Sequence, residues 1–382
     1  RVEQVTGLPS AAELQTMMAN KTTKQSIDIL LNSRCTEKCS HCFFTEKGQG
    51  LIKTSPEMVE DLRRQIDFFD TDKTNLTIYP REITAALDLL PVFSEQQTDR
   101  VLTNGVLLSQ KGILEQLKSS GITKLAVSLH GNKEQHTRLT HAPPQFYDLT
   151  LAGIEAAIAA GMEVSTFTSV SKYNLNSLAQ VFAYANQVGI VETKLLRLIP
   201  VGQAENLPNE AFIDEADLRT MLIAVEAARR QYPSLRISLL GTSFGPNFYS
   251  QGIYRYLAGM SDTWPNSTYA CPWINQQFIG ISLGSKNIYP CFEALSFPET
   301  QIGTVTNTGA INVADPNLTP ESLKENLRGM CAEANCQYQS LCLGGCRITA
   351  FSFAKRRGEA NPLYAGQDIC LTRTLDKIQA KL

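Results

Sequence analysis

Arg34-Cys-Thr-Glu-Lys-Cys-Ser-His-Cys-Phe-Phe44 spaces three thiols as CxxxCxxC, a few residues after the apolar run Ile27 to Leu31. A short β-branched apolar run reads as a buried strand, so Cys35, Cys39 and Cys42 stand on the loop that leaves it. Three thiolates occupy three corners of a cubic four-iron four-sulfur (4Fe-4S) cluster, and a missing fourth ligand leaves one iron free to bind a substrate or cofactor. That open iron is where the chemistry of this chain is expected to begin.

Outward from this loop the same rhythm recurs. Strand-like runs follow at Asn75 to Tyr79, Arg100 to Thr103, Lys124 to Leu129, Met162 to Thr168 and Lys194 to Leu198. Segments of helical period lie between them, at Ser55 to Phe69, Ile83 to Leu90, Lys111 to Ser119, Tyr147 to Ala160 and Leu175 to Val188. Ser55 ahead of Glu57, and Gly161 after an alanine-rich helix, are start and stop signals. Six βα units predict an α/β fold with a parallel sheet, curled as a partial (β/α)6 TIM-like barrel or open. The cysteine loop follows the first strand, on the face where such proteins build their sites. A longer amphipathic helix is expected over Asp214 to Gln231, then a short apolar run at Leu235 to Leu240. A chain of 382 residues is too long for one typical core. The expected organisation is an N-terminal extension over 1–25, the partial barrel over 26–240, and a linker with a smaller cysteine-rich α+β unit over 241–382.

With 43% apolar and 19% charged residues the composition is that of an ordinary globular protein. A formal net charge of -2 gives no reason to expect nucleic acid, and Lys355-Arg356-Arg357 is too short a basic run to alter that. No apolar run approaches the roughly 18 residues needed to cross a bilayer, and no signal peptide opens the sequence, so a cytoplasmic protein is expected. Ten cysteines without a secretion signal argue for metal ligation in a reducing compartment. Three cluster at 35, 39 and 42, and the rest fall at 271, 291, 331, 336, 342, 346 and 370. Two metal-binding regions separated by a cysteine-free stretch is the simplest reading.

The CxxxCxxC loop after the first strand of a six-unit βα domain resembles the radical S-adenosylmethionine (AdoMet) enzymes. The resemblance implies that the AdoMet amine and carboxylate chelate the open iron, and that an electron from the cluster cleaves AdoMet to a 5′-deoxyadenosyl radical. It puts His41 at the ring-bearing position near adenine. Where the family carries Gly-Gly-Glu to receive the methionine amine, this chain has Tyr79-Pro80-Arg81-Glu82, so the acid is kept while proline and arginine replace glycines. Asn104 in Thr103-Asn104-Gly105, Ser128 in Ser-Leu-His-Gly131, and Thr168 with Ser169 end successive strands, in positions the family uses beside the ribose and carboxylate. Arg197 and Leu198 lie in the segment that resembles the adenine-packing one. His136 and Arg138, after Ser128, are expected in a solvated loop.

The later cysteines sharpen the resemblance. Cys336-Gln-Tyr-Gln-Ser-Leu-Cys-Leu-Gly-Gly-Cys346 is similar to the SPASM extension, which binds two auxiliary iron-sulfur clusters. By that likeness Cys331, Cys336, Cys342 and Cys370 ligate the distal cluster, and Cys271, Cys291 and Cys346 the proximal one. The family's fourth proximal cysteine is missing from Pro272-Trp-Ile-Asn-Gln-Gln277, which leaves an open iron, a ligand such as Gln277, or a smaller cluster. The alternative for all ten is structural zinc, which favours sets of four ligands; seven late cysteines do not divide into fours.

Relatives of this kind mostly modify ribosomally made peptides by crosslinking, oxidation or excision, and some oxidise or rearrange small polar metabolites such as aminoglycosides. An electron donor such as flavodoxin or ferredoxin is implied. Only 34 residues precede Cys35, so leader recognition is expected to need a separate protein or another surface. Glu293, two residues after Cys291, is a candidate base, although sulfatase maturases place an Asp directly after that cysteine, where Phe292 stands here. Tyr254, Tyr256, Trp264, Tyr269 and Trp273 are candidates for a groove or an interdomain core.

Overall fold

The computed structural model describes residues 25–31, 33–44, 55–67, 74–96, 98–239, 271, 278–306, 311–313, 320–329, 343–366 and 368–370. Seven strands follow the barrel rhythm: β1 (Gln25–Leu31), β2 (Thr74–Pro80), β3 (Arg100–Thr103), β4 (Lys124–Ser128), β5 (Glu163–Val170), β6 (Glu192–Arg197) and β7 (Arg236–Leu239). β1 pairs with β2, and β3 through β7 pair in order, all parallel. β2 and β3 touch, but the ladder lapses between them, so two sheets form an interrupted wall. Pro80, ending β2, has no N–H for a ladder.

Alternation along β1 sets its two faces. Ile27, Ile29 and Leu31 join Val59, Leu62 and Ile66 of α1 (Pro56–Asp67) in the outer core. Leu30, on the opposite face, joins Tyr289, Cys291 and Phe297. The other barrel helices are α2 (Leu90–Glu95), α3 (Ile113–Ser119), α4 (Lys133–Thr140), α5 (Pro144–Ala159), α6 (Leu178–Val188) and α7 (Glu215–Gln231). Reciprocal capping boxes start two of them, Asn132 with Gln135 for α4 and Asp214 with Asp217 for α7.

Two local expectations are corrected. Residues 83–90 are not one helix: short 3-10 turns at Ile83–Ala85 and Leu87–Leu89 precede α2. Pro91 is tolerated only in the first turn of a helix, so α2 has to begin beside it. The segment after β4 is not a solvated loop, because α4 carries both His136 and Arg138 and buries the former.

The cysteine-rich half joins the barrel sheet. β8 (Phe278–Ser282) pairs parallel with β1, pairing Ser26 with Phe278 and Leu30 with Ser282. β9 (Asn287–Tyr289), β10 (Gly303–Val305) and β11 (Ile311–Val313) then extend that sheet antiparallel. Gly280 makes this possible: a Cβ there would meet the Cys291 carbonyl oxygen at 2.9 Å. α8 (Pro320–Asn326) and α9 (Arg347–Arg356) follow. Among the described residues no helix is long and apolar enough to cross a membrane.

Candidate metal centre and cofactor site

The loop leaving β1 is clamped from several elements. The Ser40 N–H and Oγ both donate to the Leu139 carbonyl of α4, at 2.9 and 3.0 Å. On the far side Gln203 N–H donates to the Cys42 carbonyl at 2.8 Å, and Ser296 Oγ to the Phe43 carbonyl at 3.1 Å. Gly202, at φ +66°, lets the segment after β6 press on the loop; a Cβ would stand 2.5 Å from the Cys42 carbonyl oxygen. Asn104, ending β3, donates from Nδ2 to Thr36 Oγ1 at 2.7 Å and to Cys35 Sγ at 3.8 Å.

Cys35, Cys39 and Cys42 are half-buried on this loop. Burial pushes the Cys35 thiol up to about 12, with the Glu82 carboxylate adding to the rise and Arg81 opposing it. Cys39 is pushed well up by burial and by Glu37, Cys42 and Cys35, and Cys42 is raised by burial despite a hydrogen bond from Arg81. Three thiols that depress each other's ionisation in one desolvated place are a donor set for cationic iron, which reverses that repulsion. As they stand, no three His, Cys, Asp or Glu side chains among the described residues close on one ion. Arg81 Nε and His41 Nδ1, both beside the loop, are buried without a hydrogen-bond partner. The orphaned atoms and the thiol trio fit a cluster with a polar ligand on it.

Glu82 is 1% exposed and accepts four hydrogen bonds. Its Oε1 takes Thr84 N–H at 3.0 Å, Thr84 Oγ1 at 2.7 Å and Thr103 Oγ1 at 2.6 Å, while Oε2 takes the Asn104 N–H at 2.7 Å. Burial pushes its carboxyl above the usual glutamate range and these donors counter the rise. The carboxylate expected to receive an amine is therefore first an organiser of the β3 end, with free lone-pair capacity only on Oε2.

The remaining strand-end residues have different surroundings. Tyr79, two residues beyond Thr77 on β2, packs edge-on against Phe292 at 5.0 Å. Ser128 ends β4 half-buried. Thr168 is buried and donates to the Leu129 carbonyl at 2.6 Å, so its hydroxyl joins β5 to β4; the Ser169 N–H donates to His130 Nδ1 at 3.2 Å. Leu198 lies in an apolar cluster with Phe212 and Phe353. Arg197, expected beside the cofactor, donates from its guanidinium to Asp368 at 2.8 Å and to the Ile213 carbonyl, and lies over the Phe353 ring. An arginine whose side chain is wholly buried needs such a carboxylate, and Asp368 supplies it from the far end of the chain.

Sequence reasoning passed over a buried polar group behind the loop. Glu37, between Cys35 and Cys39, is 4% exposed, with Oε1 4.0 Å from His136 Nε2. Burial pushes Glu37 up to about 7 and His136 down to about 4. His130 lies edge-on to His41 at 4.3 Å and stacks on His136 at 5.5 Å. Burial lowers His41 to about 4. A glutamate inside the cysteine motif and a histidine inside Ser-Leu-His-Gly131 were the available signals.

In the other half Cys271, Cys291 and Cys346 are buried at 3%, 7% and 4% exposure; burial first, and then the neighbouring thiols, suppress the ionisation of Cys291 and Cys346, the latter pushed up to about 12. Cys370 is half-buried. Cys331, Cys336, Cys342, Gln277 and the aromatics at 254, 256, 264, 269 and 273 lie outside the described residues. Phe43, beside Cys42, packs at a tilt against Phe292, beside Cys291, with ring centroids 4.2 Å apart, so one aromatic contact joins the two cysteine sites. Glu293 is raised by burial and hydrogen-bonds Cys291. It also raises Asp28 of β1, a buried carboxyl on the Leu30 face, whose first cause of elevation is burial.

Residues 29–185 match the family model described as Radical SAM superfamily. A stretch of 104 residues is 36% identical to an AdoMet-dependent heme synthase of Methanosarcina barkeri, covering 27% of this chain and 29% of that protein. An AdoMet-dependent heme synthase of Nitratidesulfovibrio vulgaris is 21% identical over 389 residues, covering 93% of this chain and 96% of the relative. In fold the chain resembles Streptococcus suis SuiB bound to its precursor peptide SuiA, with TM-score 0.64 and 17% identity over 97% of this chain and 79% of SuiB. The residues that match the Radical SAM superfamily model begin inside β1, carry the three-thiol loop and include the β3 end and α4 that clamp it.

Proposed function

We propose that this chain is a radical AdoMet enzyme that abstracts an unactivated hydrogen from a ribosomally made peptide and oxidises the product. Cys35, Cys39 and Cys42 would hold the 4Fe-4S cluster and leave one iron for AdoMet. Bound there, the pair supplies a 5′-deoxyadenosyl radical. The observation that carries the reading is the clamped loop: three thiols fixed from α4, the β3 end and the segment after β6, with orphaned polar atoms of Arg81 and His41 beside them.

The chain's own residues have separable roles in this reading. Asn104 and Glu82 hold the loop and its rim, so the cluster geometry is set before a ligand arrives. His41, Tyr79, Arg81 and Ser128, with the backbone at Ser169, would contact AdoMet. Cys271, Cys291 and Cys346 would hold a proximal auxiliary cluster, and Cys331, Cys336, Cys342 and Cys370 a distal one. The buried Asp28 and the half-buried Glu293, close to Cys291, are suited to take the proton that a net oxidation releases. A second reading, a small polar metabolite as substrate, is favoured by the N. vulgaris heme synthase, which matches over nearly the whole chain.

Anaerobic protein, reconstituted with iron and sulfide, tests the enzyme reading through release of 5′-deoxyadenosine from AdoMet. Absence of that product with an assembled first cluster refutes it. Deuterium transfer from labelled peptides or metabolites into 5′-deoxyadenosine separates the two substrate classes.

A further inference from the structure

Cys271, Cys291 and Cys346 share one buried cluster with Leu30 of β1. Two of these sulfurs are received alike by the backbone three residues on. The Ala294 N–H donates to Cys291 Sγ, and the Thr349 N–H to Cys346 Sγ at 3.4 Å. The second donor lies in the first turn of α9, whose N-cap is Cys346. N–H groups aimed at sulfur favour thiolate over thiol, the form that binds metal. Three thiols held in this way leave one position of a cubic cluster to another group, and Pro272-Trp-Ile-Asn-Gln-Gln277 supplies no cysteine for it.

Glu293 stands beside these thiols. It opens the single turn Glu293–Ser296 that follows Cys291 and Phe292, and the Cys291 thiol donates to its carboxylate. Its charge acts on Cys346 as well as on Cys291, so the carboxylate lies among the sulfurs and not to one side of them. It acts also on Asp28 of β1, which is 5% exposed. Two carboxyls are thus gathered on the Leu30 face, and no basic side chain among the described residues offsets them. Glu293 is steadied by its own backbone N–H and by Cys291, and Asp28 by the Thr77 hydroxyl. Acids withdrawn from water call for a cation, and a cluster iron is one.

Resting on the reading that Cys271, Cys291 and Cys346 hold an iron-sulfur cluster, we infer that Glu293 completes it as the fourth ligand through a carboxylate oxygen. Ligands other than cysteine do hold cluster iron, as where histidine replaces cysteine on one iron of a two-iron cluster. On assembly the three thiols release their protons to solvent and sulfur–iron bonds take their place. The Glu293 carboxylate gives a lone pair to the remaining iron, and no electron moves. That iron is then closed to substrate, so this cluster accepts electrons and does not bind the reactant. The two carboxyls also divide their work: Glu293 holds metal, and Asp28 beside Thr77 is left to take the proton of a net oxidation.

The test uses the full chain with Cys35→Ala/Cys39→Ala/Cys42→Ala, which removes the first cluster and its open iron, reconstituted with iron and sulfide. Electron-nuclear double resonance of the reduced protein in oxygen-17 water reads whether water sits on iron. With Glu293 in place no oxygen-17 coupling should be seen, because the carboxylate holds the position. Adding Glu293→Ala should make the coupling appear. Adding Glu293→Cys should keep the iron content, show no coupling and shift the resonance to that of an all-thiolate cluster. Oxygen-17 coupling with Glu293 present means an open iron, and identical spectra with and without Glu293→Ala mean a different ligand; either result overturns the inference. Cys291→Ala separates this from the reading beneath it: an iron content that does not fall refutes the auxiliary cluster itself, whereas a fall beside either of those spectra refutes Glu293 alone.

Discussion

Removing the Glu82 carboxylate should unhinge the β3 end before it affects any chemistry. Glu82→Ala leaves the backbone N–H groups of Thr84 and Asn104, and the hydroxyls of Thr84 and Thr103, without their acceptor in a buried site. The hydroxyls can turn to other acceptors, but the two N–H groups cannot. At about 1–3 kcal/mol per stranded donor the loss is about 2–6 kcal/mol, and relief from burying a carboxylate brings the expected value to about 3 kcal/mol. Glu82→Gln keeps an oxygen for the three donors on Oε1 but turns an N–H₂ toward the Asn104 N–H, for an expected cost of about 2 kcal/mol. Urea denaturation of the cluster-free chain measures both. Because the Asn104 side chain anchors Thr36 and Cys35, iron bound per chain should fall in the same order, alanine below glutamine below wild type. If Glu82→Ala costs under about 1 kcal/mol while iron loading is retained, the carboxylate is not the organiser and the argument fails.

Gly202→Ala should both destabilise the chain, by about 1–3 kcal/mol, and reduce iron loading, because the new methyl meets the Cys42 carbonyl in a left-handed backbone; normal iron content would refute the clamp. Asp368→Ala strands the wholly buried Arg197 guanidinium and should cost about 3–5 kcal/mol in urea, with the Asp368→Asn loss smaller. His136, held near 4 in the fold against an ordinary 6.5, contributes stability that is complete above pH 6.5 and is lost as pH falls through 4, about 3 kcal/mol in all. Glu37, raised to about 7, has the opposite slope, its stabilisation being lost as pH rises through 7, so the comparison of wild type with His136→Gln isolates the histidine. Equal acid sensitivity of the two proteins would contradict a neutral buried His136.

The barrel elements were legible because they obey local rules. Arg100–Thr103 is bounded as the apolar run predicts, β4 and α7 differ from expectation by a residue at an end, and β1 starts two residues before its apolar run. α4 was missed because its buried positions are His136, Leu139 and Thr140, which carry little apolar periodicity; its helix is set by the Asn132 capping box and by packing under the cysteine loop. Residues 83–90 misled in the opposite sense, with helical spacing but a proline that delays the helix to Leu90. β8 was invisible as a barrel strand, since its partner β1 lies some 250 residues away and the sequence of five residues from Phe278 says nothing about pairing.

By itself the sequence determined the chemistry available to this protein: three thiols at CxxxCxxC spacing after a strand, in a chain whose other cysteines lie beyond residue 270. Ligand identity and spacing are local properties, and local properties survive in one dimension. Only the tertiary structure decided what each polar residue does. It turned Glu82 onto the β3 end, gave Arg197 to Asp368, and gathered Glu37, His41, His130 and His136 behind the loop. It also packed Phe43 against Phe292 between the two cysteine sites. Those outcomes depend on which buried donors and acceptors meet across strand ends far apart in the chain, and burial makes each such meeting obligatory.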